Sequence, residues 1–235
     1  MCGVGPHTKY RYIHRMYTAV IVEPRKHAAL AHVLKNFLEN LSNDWNILLY
    51  HGTQNIEYVN AIVAAMGNPS RISLRKLNVA NLTIPDYNRL MTSAAFYESL
   101  PTETILIFQS DTLIFPKHKD LLYKFLEYDY VGAPWPGKRP AHLGNGGLSL
   151  RSKTKMLEII AKNPYRGQPE DVYFSMPRDV TLYTPSYEEA MQFSVENVFS
   201  PVSFGGHQPW NSYQGHPEHE HYPIVMQLKA LQRCE

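Results

Sequence analysis

Apolar segments alternate with amphipathic segments through the first half of the chain, and this alternation limits the folds that the chain can adopt. The apolar runs are typical of strands buried on both faces, and the segments between them carry apolar residues at helical spacing. Such alternation predicts a parallel sheet with helices on its faces. We expect strands at residues 17–22, 45–50, 71–79 and 104–108, and helices at 26–41, 55–66 and 87–100.

The second half is less regular, and no linker separates it from the first. The fold class predicted is therefore α/β, as a single domain over residues 17–235 with a central mixed, mostly parallel sheet flanked by helices. Residues 1–16 are expected to be an N-terminal lead-in. Further helices are predicted at 119–128, 152–162, 222–234 and from Pro169 onward, strands at 130–135 and 148–150, and a loop at 204–210.

Composition excludes several classes of function. The net charge of +2 on 235 residues gives no strong field for nucleic acid, so no nucleic-acid partner is expected. No apolar run reaches the roughly 20 residues of a membrane helix, and no signal peptide is recognisable at the N-terminus. Cys2 and Cys234 lie at opposite ends and suggest no disulfide framework, so a reducing, cytoplasmic location is expected.

The segment ILIFQSDTLIF, residues 105–115, contains the first candidate for chemistry. Its buried strand ends in Gln109, Ser110 and Asp111, and a second apolar run follows directly. Open α/β sheets bind ligands at the carboxyl ends of their strands, which makes Asp111 a candidate site residue. A simple turn between two strands would use the same residue types.

A glycine-rich turn and an acidic pair are the next candidates. Residues 144–147 (GNGG) let the backbone approach a ligand closely, although a tight hairpin also explains them. They match neither a P-loop nor a dinucleotide fingerprint. Glu170 and Asp171 follow Pro169 at a predicted helix start, where a carboxylate serves either as a cap or as a general base.

Histidines are concentrated late in the chain. His207 lies in a predicted loop with little structural need for an imidazole, so it is a metal ligand, another site histidine or solvated. His216, His219 and His221 suggest a metal cluster, but no cysteine accompanies them and their spacing fits no helix face. We therefore expect this segment to be an exposed tail.

The order of these motifs resembles that of GT-A-type glycosyltransferases, and most nearly a subgroup of plant, fungal, bacterial and viral sequences known mainly as a domain of unknown function. The resemblance covers residues 18–210. It depends chiefly on GNGGLSLRS with PEDVYFS, preceded by YDYVGAPW and followed by a late histidine. The earlier segments TAVIVEPR, NFLENLSNDWNILLYHG and YNRLMTSAAFYESL also fit.

The resemblance implies a divalent cation, Mn²⁺ or Mg²⁺, bridging the diphosphate of the donor. Gln109, Ser110 and Asp111 occupy the place of the family's Asp-x-Asp motif, and His207 matches a late histidine that completes metal coordination in many relatives. Gln109 departs from the motif and leaves Asp111 as its only carboxylate. One or two carboxylates together with phosphates commonly hold such ions.

The resemblance also implies roles for the remaining candidates. Glu23 and Arg25 match positions that meet the nucleotide, and residues Asn145, Gly146 and Gly147 match the sugar and acceptor side. Glu170 and Asp171 match the pair from which inverting members draw their base, and Asp171 is the preferred choice.

The function expected is metal-assisted transfer of a sugar from a nucleotide-sugar donor, such as a UDP-sugar, to a glycan or other hydroxyl acceptor. Inversion at the anomeric carbon follows if Asp171 is the base. Two alternatives stay open. The first is a non-catalytic module that binds a nucleotide-sugar or glycan, which the departure at Gln109 favours. The second is a metal-dependent hydrolase built on the late histidines.

Overall fold

The computed structural model describes residues 16–137 and 144–232. Six strands form a central mixed sheet in the order β3-β2-β1-β4-β7-β6, in which β3, β2, β1 and β4 run parallel. Strand β7 is antiparallel to β4, and β6 is antiparallel to β7. The strands are β1 (Tyr17–Val22), β2 (Trp45–His51), β3 (Ile72–Lys76), β4 (Thr104–Phe108), β5 (Thr112–Ile114), β6 (Tyr130–Val131), β7 (Leu148–Ser152), β8 (Ser194–Val195) and β9 (Gly205–His207).

Helices cover the sheet, so the predicted single α/β domain with a mixed, mostly parallel sheet is confirmed. One helix packs Phe37 against Phe108 of β4, with ring centroids 3.9 Å apart. The helices are α1 (Leu30–Asn40), α2 (Ile56–Ala64), α3 (Ile84–Met91), α4 (Ala94–Glu98), α5 (Lys153–Lys162), α6 (Glu170–Ser175), α7 (Tyr187–Phe193), α8 (Trp210–Tyr213) and α9 (Tyr222–Leu231). Pro69–Arg71 and Pro116–Lys124 are 3₁₀ helices.

The order of the parallel strands creates a switch point between β1 and β4. The chain builds β1, β2 and β3 outward in one direction and then returns to place β4 on the other side of β1. Connections therefore leave the adjacent ends of β1 and β4 in opposite directions, which opens a crevice at the carboxyl edge of the sheet. Glu23 to Arg25 follow β1 and Gln109 to Asp111 follow β4 at this edge.

The predicted helix at 87–100 is wrong in one respect, because the structure has two helices there, α3 and α4. The Thr92 hydroxyl donates to the carbonyl of Asn88 over 2.7 Å at the end of α3. The Ser93 hydroxyl then accepts from the Phe96 N–H over 3.3 Å and caps α4. Hydroxyl side chains that bond the local backbone in this way compete with a continuous helix.

The predicted loop at 204–210 is also wrong, because Gly205–His207 form strand β9. This strand pairs antiparallel with β5 and parallel with β8 in a second, three-stranded sheet. Asn36 of α1 completes the edge of β5, since its side chain accepts from the Ile114 N–H and donates to the Ile114 carbonyl over 2.8 and 3.0 Å. Glycine has low strand propensity, so the sequence of β9 does not signal a strand.

Two further predictions differ in extent. The predicted strand at 130–135 is limited to Tyr130–Val131, and the predicted helix at 119–128 is the 3₁₀ helix Pro116–Lys124. Residues 1–15 of the expected lead-in, residues 138–143 and the predicted end of the last helix at 233–234 lie outside the described residues. None of the helices in residues 16–137 and 144–232 has the length and apolar character that a membrane span requires.

Candidate functional site

The crevice at the carboxyl edge of the sheet opens into a cleft of about 550 Å³. This volume lies within the range of small-molecule and cofactor sites. The ends of β1 and β4, the glycine-rich turn before β7, the start of α6 and the end of β9 all contribute to its walls. Every residue that the sequence analysis assigns to donor binding, metal binding or catalysis lines this cleft, except Gly146.

Glu23 and Arg25 form the wall that follows β1. Glu23 is buried, and its carboxylate accepts two hydrogen bonds from the Arg25 side chain over 2.9 and 3.0 Å. Ser110 donates to the same carboxylate over 3.2 Å. The side chain of Asn55 donates to the backbone carbonyls of both Glu23 and Arg25. These contacts fix the orientation of the Arg25 guanidinium at the cleft.

Gln109, which stands where the resembled motif has an acid, turns toward helix α3. Its side-chain amide donates to the Tyr87 hydroxyl over 3.1 Å. Gln109 thus ties the end of β4 to α3 across the cleft, and the carboxylate of the triplet is supplied by Asp111.

Asp111 and His207 meet at the cleft through the pairing of β5 with β9. His207 is buried, and its Nε2 lies 3.3 Å from Asp111 Oδ2. On its other side, His207 Nδ1 lies 3.1 Å from Glu196 Oε1. Asn145 donates to the same oxygen of Glu196 over 3.1 Å. The imidazole is therefore held between two carboxylates.

The protonation of this group follows from its neighbours. Burial alone would lower the pKa of His207, but the charges of Asp111 and Glu196 outweigh burial and raise it to about 10. Burial would raise the pKa of Asp111, but the His207 charge and the hydrogen bonds from His207 and Gln208 hold it below its ordinary value. As long as no cation is bound, the protonated imidazole of His207 balances the negative charges of Asp111 and Glu196.

Gln208 supports Asp111 from a backbone conformation that non-glycine residues rarely adopt. Its φ of 42° places it in the left-handed region. Its side chain donates to Asp111 Oδ2 over 2.9 Å, and its backbone N–H donates to the Asp111 carbonyl over 2.9 Å. Strained backbone held by such contacts is common at functional sites.

Asp111 and His207 fit a divalent cation. Asp111 Oδ1 and His207 Nε2 are buried at the cleft. Asp111 Oδ1 has no hydrogen-bond partner among the described residues, and His207 Nε2 faces the other carboxylate oxygen of Asp111 at 3.3 Å. A carboxylate oxygen and an imidazole nitrogen are ligands for Mn²⁺, and Mg²⁺ would use the carboxylate. His207 would have to lose its Nε2 proton to bind the ion. Glu196 at Nδ1 would then keep the remaining proton on Nδ1 and direct the Nε2 lone pair toward the ion, as carboxylates do behind many metal-binding histidines.

The glycine-rich turn packs so closely on the site that side chains do not fit there. A Cβ atom on Gly147 would lie 2.3 Å from the His207 ring, and one on Gly146 would lie 2.0 Å from Glu170 Oε1. Asn145 accepts from the Gly147 N–H over 2.7 Å while its amide bonds Glu196. The turn therefore positions both the histidine and the acidic pair.

Glu170 is buried against a fully buried arginine of β7. Arg151 Nη1 and Nη2 lie 2.7 and 3.1 Å from the two carboxylate oxygens of Glu170. Arg151 also donates to the Tyr97 hydroxyl and to Ser149. The Glu170 backbone N–H donates to Asn88. All these contacts hold Glu170 in a wall of the cleft.

Asp171 has different surroundings from its neighbour. It lines the cleft, and its Oδ1 accepts from the Val172 N–H over 2.8 Å at the start of α6. Burial and the nearby Glu170 charge raise the pKa of Asp171 above its ordinary value, against the effects of Val172, Arg151 and Gly146. A carboxylate with a raised pKa in a cleft is a candidate general base.

The raised pKa of Asp171 predicts a pH-dependent change in stability on substitution. A carboxyl group whose pKa is higher in the folded state than in the unfolded chain stabilises the fold when it is protonated. This contribution is complete below the pKa of the unfolded chain and is lost as the pH rises through the pKa of the folded state. Asp171→Asn should therefore be more stable than the wild type at pH 7, and the difference should shrink toward pH 4. Urea unfolding of both proteins across this range measures it. A difference independent of pH would contradict the pKa shift.

Several site residues carried no recognisable signal in the sequence. Glu196 lies next to a two-residue strand, and Gln208 follows the unpredicted β9. Arg151 occupies a strand that the sequence does predict, yet a single arginine in LSLRS does not reveal a buried ion pair.

The late histidines differ from the expected exposed tail. His221 is buried, with its ring stacked on Phe115 at a centroid distance of 4.4 Å. His216 stacks on Phe199 at 3.6 Å. Burial, with the charges of nearby histidines, lowers the pKa of His221 to about 4. None of these histidines lines the cleft.

Comparison with known families places the chain in a family whose function has not been assigned. The chain belongs to the family described as protein of unknown function (DUF5672), whose model matches residues 71–207, more than half of the chain. The matched segment runs from Arg71, just before β3, to His207 and includes Asp111 and the acidic pair. A search of curated proteins found no match.

Solved structures show distant similarity. The mannosyltransferase PcManGT from Pyrobaculum calidifontis, in complex with GDP-Man and Mn²⁺, aligns at a TM-score of 0.49 with 12% identity over 73% of this chain and 53% of that chain. HddC from Yersinia pseudotuberculosis aligns at a TM-score of 0.46 with 11% identity, over 72% of this chain and 88% of that chain. A 4-diphosphocytidyl-2C-methyl-D-erythritol synthase from Anaerococcus prevotii aligns at a TM-score of 0.46 with 10% identity, over 68% of this chain and 82% of that chain. Similarity at this level transfers no activity or substrate to this chain.

Proposed function

We propose that the protein is a metal-dependent glycosyltransferase that moves a sugar from a nucleotide-sugar donor to a hydroxyl acceptor, with inversion at the anomeric carbon. One observation carries the proposal: the cleft contains two buried potential ligand atoms, Asp111 Oδ1 and His207 Nε2, and also a carboxylate of raised pKa on Asp171. The motifs that resemble GT-A-type glycosyltransferases support the same function.

The donor side of the cleft would consist of the residues that follow β1 and β4. Glu23 holds the Arg25 guanidinium at the rim, where it can meet the negative charge of a nucleotide. Asp111 and His207 would hold the divalent cation. When bound, that cation would neutralise charge on the leaving diphosphate.

The acceptor side would consist of the turn at 144–147 and the start of α6. Asp171 would accept the proton of the attacking hydroxyl. The oxygen of that hydroxyl would form the new bond to the anomeric carbon as the bond from this carbon to the nucleoside diphosphate breaks. The Glu170–Arg151 pair would hold the first turn of α6 in place, and thereby hold the neighbouring Asp171. Attack from the face opposite the leaving group inverts the anomeric configuration.

Metal-dependent binding of a nucleoside diphosphate tests the donor site. Calorimetric titration of UDP and GDP should show binding that strengthens with Mn²⁺. Asp111→Asn should abolish the Mn²⁺-dependent part of the affinity, because the amide supplies no charge for the cation. His207→Gln should weaken binding only when Mn²⁺ is present. Circular dichroism and thermal melting should show that both variants remain folded.

Two controls make this experiment decisive. Asp179→Asn removes an exposed carboxylate outside the cleft and should leave binding unchanged. Measurements with EDTA separate metal-dependent from metal-independent affinity. Equal affinities for Asp111→Asn and the wild type at saturating Mn²⁺ would refute the metal site, and a His207→Gln loss that persists in EDTA would assign that histidine to folding or stacking.

A nucleotide-sugar-binding module without turnover is the second candidate function. It is favoured because residues of the triplet 109–111 already have partners in the protein: Gln109 donates to the Tyr87 hydroxyl, and Asp111 contacts His207 and Gln208. A binder would saturate with the donor and release no sugar, whereas a transferase would hydrolyse the donor slowly even without an acceptor. Chromatography of the donor after incubation with Mn²⁺ distinguishes the two.

A further inference from the structure

Three potential ligand side chains meet away from the cleft, where the 3₁₀ helix Pro116–Lys124 faces the start of α9. They are His118, Glu220 and His221, and one ligand atom from each lies within 4.8 Å of the others. They come from segments about 100 residues apart in the sequence, so their proximity is a product of the fold. None of the three lines the cleft of the proposed active site.

The two imidazole nitrogens have the separation of ligands on one tetrahedral ion. His118 Nδ1 lies 3.3 Å from His221 Nε2. Nitrogens bound at about 2.0–2.1 Å to tetrahedral zinc lie about 3.3–3.4 Å apart. The rings are nearly perpendicular, with an interplanar angle of 85°, so the two nitrogens approach each other without stacking of the rings.

Packing fixes one histidine, while the carboxylate can adjust. The His221 ring stacks on Phe115 at an interplanar angle of 8°, and its backbone N–H donates to His219 Nδ1 over 3.2 Å. Glu220 is about half exposed and forms an ion pair with Lys117 over 2.6 Å. A rotamer change would bring its carboxylate to an ion held by the two histidines, and this ion would compete with Lys117.

We propose that His118, Glu220 and His221 form a zinc site with water in the fourth position. Two imidazoles and one carboxylate are ligands that tetrahedral Zn²⁺ accepts. A cluster of this kind contrasts with the oxygen-rich set expected for Mg²⁺. The site is separate from the cation proposed in the cleft and does not depend on the activity proposed there.

The zinc would fasten helix α9 to the segment that follows β5. At the far end of α9, Gln232 donates to the Ser110 carbonyl over 3.0 Å, directly beside Asp111. His221 stacks on Phe115, which directly follows β5, and Asp111 directly precedes the same strand. Zinc bound here would stabilise the docking of α9 against the back of the cleft.

Zinc binding to the metal-free protein tests the site. Competition with a chromophoric chelator should show one tight Zn²⁺ equivalent that persists in an Asp111→Asn background, which removes the cleft carboxylate. His118→Gln should weaken this affinity by at least about 10-fold, the lower end of what loss of even an outer-shell partner produces. Lys117→Gln should strengthen it, because the competing ammonium is gone. Co²⁺ in the same site should give the visible absorption of a tetrahedral complex.

His216→Gln is the matched control, since His216 belongs to the same histidine-rich segment but not to the cluster. It should bind zinc as the wild type does. Zinc affinity unchanged in His118→Gln would overturn the proposal. Equal losses in His118→Gln and His216→Gln would also overturn it, because they would indicate loose chelation by the segment. Absence of a tight equivalent in the wild type would do the same.

Discussion

Asp171→Asn should reduce turnover about 10²–10⁴-fold, the usual contribution of a general base. Asparagine keeps the shape of the side chain and can still accept from the Val172 N–H, but it does not take a proton from the acceptor hydroxyl. Donor affinity should barely change, because the base contacts the acceptor and not the diphosphate. The expected result is therefore a loss in kcat with an unchanged Kd for the nucleotide.

Kinetics on Asp171→Asn and on the control Asp179→Asn, with the product configuration read by NMR, check this prediction. The wild-type kcat should fall on the acid side with an apparent pKa above the ordinary value of an aspartate, since burial and the Glu170 charge raise the pKa of Asp171. This acid limb should disappear in Asp171→Asn. A retained anomeric configuration, or a variant within a few-fold of the wild type, would exclude Asp171 as the base.

The parallel half of the fold could be predicted because its signals are local. Strands β1 and β4 are continuous apolar runs, and polar residues end both of them. The general rule that open sheets bind at the carboxyl ends of strands makes Asp111 a site candidate without any structure, and the resemblance adds Glu23 at the end of β1. Both residues line the cleft.

The surroundings of His207 could not be predicted because they depend on pairings distant in sequence. Strand β9 is a Gly-Gly-His segment that pairs with β5 from nearly a hundred residues earlier. No periodicity identifies a strand so short, and Glu196 reaches His207 only because β8 lies beside β9. The sequence thus indicates a histidine of interest but not the carboxylates that hold it.

The same limit applies to the acidic pair, whose members are equivalent in sequence and different in the fold. Both begin helix α6, yet only one of them faces Arg151. Arg151, the partner of Glu170, lies on β7. The apolar residues of this strand predict burial, but an arginine in it would ordinarily be assigned to solvent. The structure therefore separates Glu170, whose carboxylate pairs with a buried arginine, from Asp171, whose carboxylate accepts from the Val172 N–H at the cleft.

Glu170→Gln should destabilise the fold by about 3–5 kcal/mol, the effect of leaving one partner of a buried ion pair unpaired. Arg151 is fully buried, and Glu170 is the carboxylate that balances its charge at 2.7 Å. The neighbouring Tyr97 hydroxyl and Ser149 accept hydrogen bonds from Arg151 but carry no charge to replace it. Arg151→Met should be similarly destabilising, because it leaves the buried carboxylate of Glu170 without its cationic partner.

Urea unfolding of Glu170→Gln, Arg151→Met and the double variant measures this coupling as a double-mutant cycle. The double variant should be less destabilised than the sum of the single variants, since neither charge is then left alone. Glu158→Gln is the matched control, because Glu158 pairs with Lys155 and Lys162 on the surface of α5 and should change stability little. Glu170→Gln should lose less turnover than Asp171→Asn at temperatures where it remains folded. A Glu170→Gln protein as stable as the wild type, but as inactive as Asp171→Asn, would reverse the assignment and make Glu170 the base.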